Sequence, residues 1–333
     1  MDSSLEWEMT SANPRAFHSP ASSIVPTPED WIPPLATPAY STLAKDVPPS
    51  LHSMPEDSWQ KISFPVERNA CTVGDFMSVT KSLFDLAGRT ALITGSSQGI
   101  GLALARGLGM AGAGIVLNGR DEARLASASA TLRAEGLNVA TAAFDVTDAA
   151  AIANAVARIE TEVAPIDILV NNAGIQRRAL LTDMTEEQWR TVIDTNLTSA
   201  FLVCRQVAPR MIARKSGKII NICSLMSESS RPSIANYCAA KGGLKMLTRA
   251  MATEWAGSNL QANAIGPGYF KTELTKPLVE NAEFNTWICK RTPAGRWGNP
   301  DELIGTAIYL AAPASNFVNG QIIYVDGGLL ASI

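Results

Sequence analysis

The sequence predicts an α/β fold in which helices cover both faces of a doubly wound parallel sheet. From about residue 90 onwards, short apolar runs alternate with longer segments of helical periodicity. This alternation is typical of parallel strands joined by crossover helices. The runs are apolar throughout, as expected of strands that are buried on both faces. We therefore predict a single domain over residues 77–333, preceded by an N-terminal extension over residues 1–76.

The elements follow in order from a first strand that ends at a glycine-rich turn. This turn opens a helix rich in alanine and leucine, and Asp148 is the candidate cap of a later helix. The predicted strands cover residues 90–94, 114–117, 138–144, 167–170, 218–222, 261–265 and 321–325. The predicted helices cover residues 99–112, 121–136, 147–163, 185–214, 234–256 and 300–312.

Residues 1–76 differ in composition from the rest of the chain. They hold 11 of the 19 prolines, one of the 24 glycines, and 10 acidic against 4 basic residues, a net charge of −6. The remainder has 21 acidic and 24 basic residues, a net charge of +3. Such a proline-rich acidic segment is predicted to be disordered. It is either a genuine extension or the result of a start codon assigned upstream of Met77, where the pattern of the domain begins.

Composition excludes several classes of function. Both histidines, His18 and His52, lie in residues 1–76, so the predicted domain cannot hold a Ser-His-Asp triad or an imidazole-dependent zinc site, and we expect no metal. No basic cluster indicates a nucleic-acid partner, and no apolar run has the length of a membrane span. The N-terminus lacks a secretory signal, and the five cysteines lack CxxC spacing. We expect free thiols and a cytoplasmic protein.

Gly95, Gly99 and Gly101 follow the first predicted strand with the spacing G-x3-G-x-G. Glycine lets the backbone turn tightly and lets its N–H groups approach a pyrophosphate, and the next helix directs its positive end at the same anion. Ser96 and Ser97 could add hydroxyl donors. The turn predicts a dinucleotide site on a Rossmann-type sheet, with an ordinary glycine-rich connection as the alternative.

The second predicted strand is followed by Gly119 and Arg120, where sites that prefer NAD carry an acid. A guanidinium pairs with the 2′-phosphate that a carboxylate would repel, so we predict a preference for NADP(H). A solvated loop arginine is the alternative. Asp145, after the third strand, is a candidate partner of the adenine amino group, although it could equally open a helix. Val146 beside it is included in the predicted cofactor site.

Tyr237 and Lys241 lie four residues apart and share one face of a predicted helix, and Ser224 follows a predicted strand. A free phenol has a pKa of about 10, and we expect the lysine ammonium to lower it so that Tyr237 can move a proton. Lys241 is also expected to reach the nicotinamide ribose, and Ser224 to hydrogen-bond the substrate oxygen. The pattern predicts hydride exchange between a nicotinamide and an alcohol or ketone. For Tyr237 and Lys241 taken alone, a surface helix pair is the alternative.

Together these motifs resemble the short-chain dehydrogenase/reductase family over about residues 80–333. The resemblance implies a pyrophosphate-binding turn that includes Gln98 and Ile100. It implies a fourth catalytic residue, Asn196, which helps to hold a proton-relay water. It also implies cofactor contacts from an NNAG motif, a PG motif and a following threonine, here Asn172, Ala173, Gly174, Pro267, Gly268 and Thr272. The chain departs from the family in carrying Cys238, Ala239 and Ala240 between the tyrosine and the lysine, where we expect little effect.

Residues 171–178, 221–224, 264–270 and 289–298 carry a narrower resemblance, to the gluconate 5-dehydrogenases of that family. It implies NADP-linked interconversion of D-gluconate and 5-keto-D-gluconate by a homotetramer or homodimer. A sugar-acid carboxylate needs a cationic partner, and Gln176, Arg177 and Arg178 lie where the substrate would enter. For either arginine, a salt bridge between subunits is the alternative. Other polyol, sugar-acid or 3-oxoacyl substrates, and a non-catalytic NADP-binding scaffold, stay open as alternatives.

Overall fold

The structure is a computed structural model that describes residues 82–332, and the structural statements below concern that part of the chain. The prediction of disorder for residues 1–76 lies outside the described residues. So does the placement of His18 and His52.

Seven parallel strands form one sheet in the order β3-β2-β1-β4-β5-β6-β7. The order reverses direction between β1 and β4, which is where open α/β sheets of this kind bind their ligands. Backbone pairing places Leu92 of β1 between Val116 and Leu169. The strands are β1 Thr90–Ile93, β2 Gly114–Gly119, β3 Val139–Ala143, β4 Ile168–Asn171, β5 Gly217–Ile222, β6 Leu260–Pro267 and β7 Ile322–Val325.

Nine α-helices follow the start of β1 in the described residues. They are α1 Gly99–Met110, α2 Glu122–Ala134, α3 Ala149–Arg158, α4 Glu186–Ile193, α5 Ser199–Arg214, α6 Ala235–Trp255, α7 Lys276–Glu280, α8 Ala282–Arg291 and α9 Ile304–Ala311. Helices α1, α2 and α9 pack on one face of the sheet, and α3, α5 and α6 pack on the other. Successive strand residues supply the two faces: Ile93 is buried under the first group, and Leu92 under the second. No helix of residues 82–332 has the length and hydropathy needed to cross a membrane.

Side chains at the helix starts explain several boundaries. The Asp148 side chain accepts hydrogen bonds from the backbone of Ala150 and Ala151, as its position in the sequence predicted. Thr185 and Gln188 form a reciprocal capping box at the start of α4. The Rossmann-type prediction is confirmed, and each predicted strand is present within one or two residues of its expected bounds.

Two helix predictions need correction. The single helix expected over residues 185–214 is divided into α4 and α5 by a π-helical turn at Asp194–Thr198. Helices α7 and α8 were not predicted, because α7 has only five residues and α8 carries charged and polar side chains around an irregular apolar pattern. Leu278 of α7 lines the smaller recess of the site described next.

Candidate active site

The carboxyl ends of the strands open into a cleft of about 920 Å³. Ser96, which was expected to offer a hydroxyl donor, is fully buried and instead donates to the carbonyl of Ile93 (2.7 Å). Every other residue that the sequence assigned to cofactor binding lines the cleft, although these residues come from six separate segments of the chain. They are Gly95, Ser97, Gln98, Gly99, Ile100, Gly101, Arg120, Asp145, Val146, Asn172, Ala173, Gly174, Tyr237, Lys241, Pro267, Gly268 and Thr272.

The turn between β1 and α1 requires its glycines. Gly95 and Gly99 have φ of +60° and +59°, a region that side chains with a Cβ rarely adopt. A Cβ on Gly101 would lie 2.4 Å from Nδ2 of Asn172. Gln98, the residue before the helix, makes no side-chain capping bond, so the first N–H groups of α1 are left for an anion. The turn therefore fits the phosphates of a dinucleotide.

The side chains of Asn118, Thr94 and Asn172 hold this turn against the neighbouring strands. Asn118 accepts a hydrogen bond from the Gly95 N–H (3.2 Å), and its amide donates to the carbonyls of Ala142 and Phe144 (3.1 Å each). The hydroxyl of Thr94 accepts from the backbone N–H of Asn172 (2.9 Å). The Asn172 amide in turn donates to the carbonyls of Thr94 and Gly95 (2.9 Å each). Asn172 thus contributes to the cradle through the backbone that it fixes.

Arg120 lies at the rim of the cleft and its side chain is 74% exposed. Its guanidinium is 3.4 Å from the carboxylate of Asp145. Burial raises the pKa of Asp145, but hydrogen bonds from Thr147 and the charge of Arg120 together outweigh it, so the pKa lies below its usual value. Exposed ion pairs of this kind contribute about 0–1 kcal/mol, so Arg120 is free to turn toward a phosphate. A second guanidinium, that of Arg124, donates to Gln98 (3.2 Å) at the same end of the cleft.

Ser224, Tyr237 and Lys241 meet at the inner end of the cleft. Ser224 lies two residues after the end of β5. Its Oγ accepts a hydrogen bond from the N–H of Met226 (3.1 Å). Tyr237 and Lys241 lie in the first two turns of α6, as predicted. The phenol of Tyr237 lies near Ser224, whose hydroxyl lowers the pKa of the phenol. Lys241 is 4% exposed, its ammonium donates to the Ile222 carbonyl (2.6 Å), and Nζ lies 5.7 Å from the centre of the Tyr237 ring.

The expected lowering of the phenol pKa by Lys241 is wrong for this structure. Burial raises the pKa of Tyr237 to about 12, and the Ser224 hydroxyl offsets only part of that effect. Burial also lowers the pKa of Lys241 to about 8, because its ammonium is removed from water and faces a carbonyl rather than a carboxylate. Tyr237 is therefore a protonated phenol at neutral pH, suited to donate a proton.

Asn196 lies behind the cleft rather than in its wall and is 1% exposed. Its Oδ1 accepts from the N–H of Ile175 (2.7 Å), and its Nδ2 donates to the carbonyl of the same residue (2.8 Å). The side chain thus fixes the loop that follows the NNAG motif. Its predicted part in holding a water stays a prediction.

A smaller recess of about 80 Å³ adjoins Ser224 and Tyr237. Of the three predicted substrate residues, Gln176 and Arg178 line this recess, whereas Arg177 lines the larger cleft. Arg178 donates to the side-chain oxygen of Gln176 (3.1 Å). Arg231 also lines the recess. It belongs to no recognised motif, and only the folded chain brings it to the site.

Residues 82–332 contain no group of three or more His, Cys, Asp and Glu side chains that could hold a metal ion.

Comparison with known proteins agrees with this geometry. The family model described as enoyl-(acyl carrier protein) reductase matches residues 95–330. This chain belongs to the short-chain dehydrogenase/reductase family. The predicted recognition of the family, and of an oxidoreductase acting on CH–OH groups, is confirmed.

Individual relatives are similar over the whole of the described domain. A gluconate 5-dehydrogenase of Gluconobacter oxydans (strain 621H) is 53% identical over 251 residues, which are 75% of this chain and 98% of the relative. A 2-dehydro-3-deoxy-D-gluconate 5-dehydrogenase of Formosa agariphila is 51% identical and covers 75% of this chain and 96% of its own. A crystal structure of a gluconate 5-dehydrogenase from Burkholderia cenocepacia J2315, in complex with NADP and tartrate, is 53% identical with a TM-score of 0.75. That likeness covers 76% of this chain and 100% of the crystallised one.

Proposed function

We propose that this protein is an NADP(H)-dependent oxidoreductase that interconverts D-gluconate and 5-keto-D-gluconate. The observation that carries the proposal is the meeting of three features at one point. A glycine cradle that fits a dinucleotide leads to Ser224 and Tyr237, and these two residues also line a recess that contains Arg178. Relatives that are 53% identical and carry the gluconate 5-dehydrogenase name support the choice of substrate.

The residues present fit NADP(H). The N–H groups at the start of α1 would hold the pyrophosphate, and Arg120 would pair with the 2′-phosphate. Thr272 lies against Gly99 across the cleft, with its methyl group 3.9 Å from the position of a Cβ on that glycine. Crystal structures of three relatives with bound NADP support this cofactor. When bound, the nicotinamide supplies or accepts the hydride.

The protein's own residues manage the proton. Tyr237 donates its phenolic proton to the carbonyl oxygen of the substrate, and Ser224 orients that oxygen through a hydrogen bond. Lys241 stabilises the phenolate that forms, since an ammonium nearby favours the charged product. Because the pKa of Tyr237 is raised to about 12, the proton-donating form predominates at neutral pH. The protonated phenol is the form that the reduction of 5-keto-D-gluconate requires, and the reverse reaction requires the phenolate.

Arg178 is the proposed partner of the substrate carboxylate. It lines the recess beside Ser224 and Tyr237, and in the described part of the chain it forms no ion pair with an acid. A carboxylate bound there would place the far end of a sugar acid at the proton donor. The subunit-interface alternative for Arg178 and Arg177 stays open until both are tested.

A second candidate substrate has an observation of its own. The Formosa agariphila relative, named for 2-dehydro-3-deoxy-D-gluconate, is 51% identical, almost as similar as the gluconate relatives. Both substrates are six-carbon sugar acids that react at C5. The recess would take either carboxylate, and the two candidates differ only at C2 and C3.

The test is NADPH oxidation by the purified protein over a panel of keto sugar acids. The proposal expects kcat/KM for 5-keto-D-gluconate to exceed that for every other member, and NADPH to be preferred to NADH. A higher value for the C5-keto form of 2-dehydro-3-deoxy-D-gluconate would move the assignment to the second candidate. Turnover of none of these acids would contradict both.

A further inference from the structure

Arg231 brings a second guanidinium to the recess next to the proton donor. It lies in the segment between β5 and α6 and shares the lining with Arg178, Ser224 and Tyr237. Among the described residues, no aspartate or glutamate lines this recess. The recess thus offers two cations to whatever enters it, and no anion competes for them.

The surroundings of Arg231 leave its hydrogen-bond donors available. Its guanidinium carbon lies 5.0 Å from the ring centre of Phe284, in a cation–π contact. Phe284 belongs to α8 and packs against Tyr269 and Trp297, with ring centres 5.7 and 6.3 Å apart. A guanidinium carries its N–H groups in its own plane, so stacking on a ring occupies a face and leaves the donating edge free. Within residues 82–332, the Arg231 side chain donates no hydrogen bond and forms no ion pair.

The two guanidinium groups act on each other. Burial lowers the pKa of Arg178, and the charge of Arg231 lowers it further. Tyr269 feels both charges as well: burial raises its pKa, and Arg231 and Arg178 each oppose that rise. Two like charges near one small recess repel each other, and a carboxylate between them would relieve the repulsion. Planar guanidinium edges also match the two oxygens of a carboxylate.

We propose that Arg231 is a second carboxylate-binding residue, which acts with Arg178 to make the enzyme select sugar acids over uncharged polyols. This inference rests on the proposed function, since it names the group that the substrate presents to the recess. The aromatic cluster of Tyr269, Phe284 and Trp297 positions Arg231, so helix α8 takes part in substrate selection.

The experiment compares D-gluconate with D-glucitol in NADP-dependent oxidation. These compounds share one carbon chain and differ only in a carboxylate against a hydroxymethyl group at C1. For Arg231→Gln we expect kcat/KM for D-gluconate to fall roughly 10- to 100-fold through KM, the range for losing a hydrogen bond to a charged group. The value for D-glucitol should change less than about threefold. Arg231→Lys, which keeps the charge but loses the planar fork, should fall between the wild type and Arg231→Gln.

Arg158→Gln is the matched control, because that guanidinium is exposed on α3 and pairs with Glu162. It should leave kcat/KM for both substrates unaffected. Equal losses for D-gluconate and D-glucitol in Arg231→Gln, or no loss for either, would overturn the inference. So would a change in oligomeric mass that accompanies the loss, because Arg231 would then serve a subunit contact.

A binding measurement separates this inference from the proposed function. Calorimetry on the Tyr237→Phe protein, saturated with NADP, reports D-gluconate affinity with turnover strongly reduced. We expect Arg231→Gln in that background to weaken binding at least tenfold. Unchanged binding, or no binding even with Arg231 present, overturns the carboxylate site. Binding that depends on Arg231 in a protein whose wild-type form oxidises no D-gluconate would instead contradict the proposed function alone.

Discussion

At the scale of single residues, burial decides the electrostatics of the site. Spacing alone led us to expect that Lys241 would lower the pKa of Tyr237. The folded chain instead buries both groups, which raises the pKa of the phenol and lowers that of the ammonium. A spacing of four residues predicts that two side chains share a helix face, but it does not say how much water surrounds them. As a consequence, Tyr237 is protonated at neutral pH, and the charged form of Lys241 destabilises the fold.

Lys241 should therefore carry a cost in stability that depends on pH. Its folded pKa of about 8 lies below the unfolded value of 10.5, so the full cost, about 3 kcal/mol, applies below pH 8 and disappears as pH rises to 10.5. Denaturant unfolding of wild type and Lys241→Met at pH 7.5 and pH 10 would measure it. We expect the wild type to gain stability relative to the variant as pH rises. Parallel changes in both proteins would contradict the buried charge.

Arg120 is expected to set the cofactor preference. Arg120→Gln should lower kcat/KM for NADPH roughly 10- to 100-fold, as for the loss of a charge-assisted hydrogen bond. The value for NADH should barely change. Steady-state kinetics with each cofactor measures the ratio, and Arg190→Gln on the exposed side of α4 is the control. If the ratio of kcat/KM for NADPH to kcat/KM for NADH stays at its wild-type value, Arg120 does not contact the cofactor.

At the scale of elements, the turn between β1 and α1 joins the fold to its function. Its glycines are required by a positive φ at Gly95 and by the close approach of Asn172 to Gly101. The same contacts hold β1 to β4, where the strand order reverses. The hydrogen bonds that shape the phosphate-binding turn thus also join β1 to β4 at the centre of the sheet.

Gly101→Ala should disturb both phosphate binding and the contact between β1 and β4. The added Cβ would lie 2.4 Å from Nδ2 of Asn172 and 2.6 Å from the Gly95 carbonyl, so the turn must shift, at a cost of about 1–3 kcal/mol. We expect a lower unfolding midpoint and NADPH binding weakened by about tenfold or more, measured by denaturation and by nucleotide titration. Gly305→Ala on α9 has open space around its Cβ, so it should change neither the unfolding midpoint nor NADPH binding. Unchanged NADPH binding in Gly101→Ala would contradict the prediction that this turn binds the phosphates of NADPH.

The sequence predicted those elements whose own residues show a clear hydrophobic pattern. Strands such as Ile168–Asn171 are buried throughout, so an uninterrupted apolar run marked them. Helix α8 escaped prediction because its apolar residues, among them Phe284, pack on Tyr269 and Trp297 from other segments. Arg231 escaped for the same reason: its partner ring lies 53 positions further along the chain. Motif residues were found because spacing encodes them, whereas the recess depends on tertiary contacts.

At the scale of the whole molecule, exposed apolar side chains mark surfaces of α5 and α6. Phe201 is 46% exposed and Met246 is 57% exposed. Leu180 and Leu181, ahead of α4, are 57% and 68% exposed. Apolar side chains that stay in water on neighbouring helices are typical of protein contacts. We therefore expect α5 and α6 to pack against a second copy of the chain.

We expect a homotetramer or homodimer whose assembly does not need residues 1–76. Mass photometry of the full chain and of a variant that begins at Met77 should give the same number of subunits, and NADPH turnover should be equal in both. The full-length protein being monomeric would contradict the oligomer. An intact oligomer that loses activity on truncation would give residues 1–76 a role in catalysis.

The central claim is that Tyr237 supplies the proton. The most direct measurement is kcat for NADPH oxidation with 5-keto-D-gluconate in Tyr237→Phe, beside Tyr309→Phe, which removes a phenolic hydroxyl on α9 outside the cleft. The account predicts that Tyr237→Phe loses about 10²- to 10⁴-fold, the range for removing a general acid. Tyr309→Phe should stay within about twofold of wild type. Wild-type turnover in Tyr237→Phe would contradict the account.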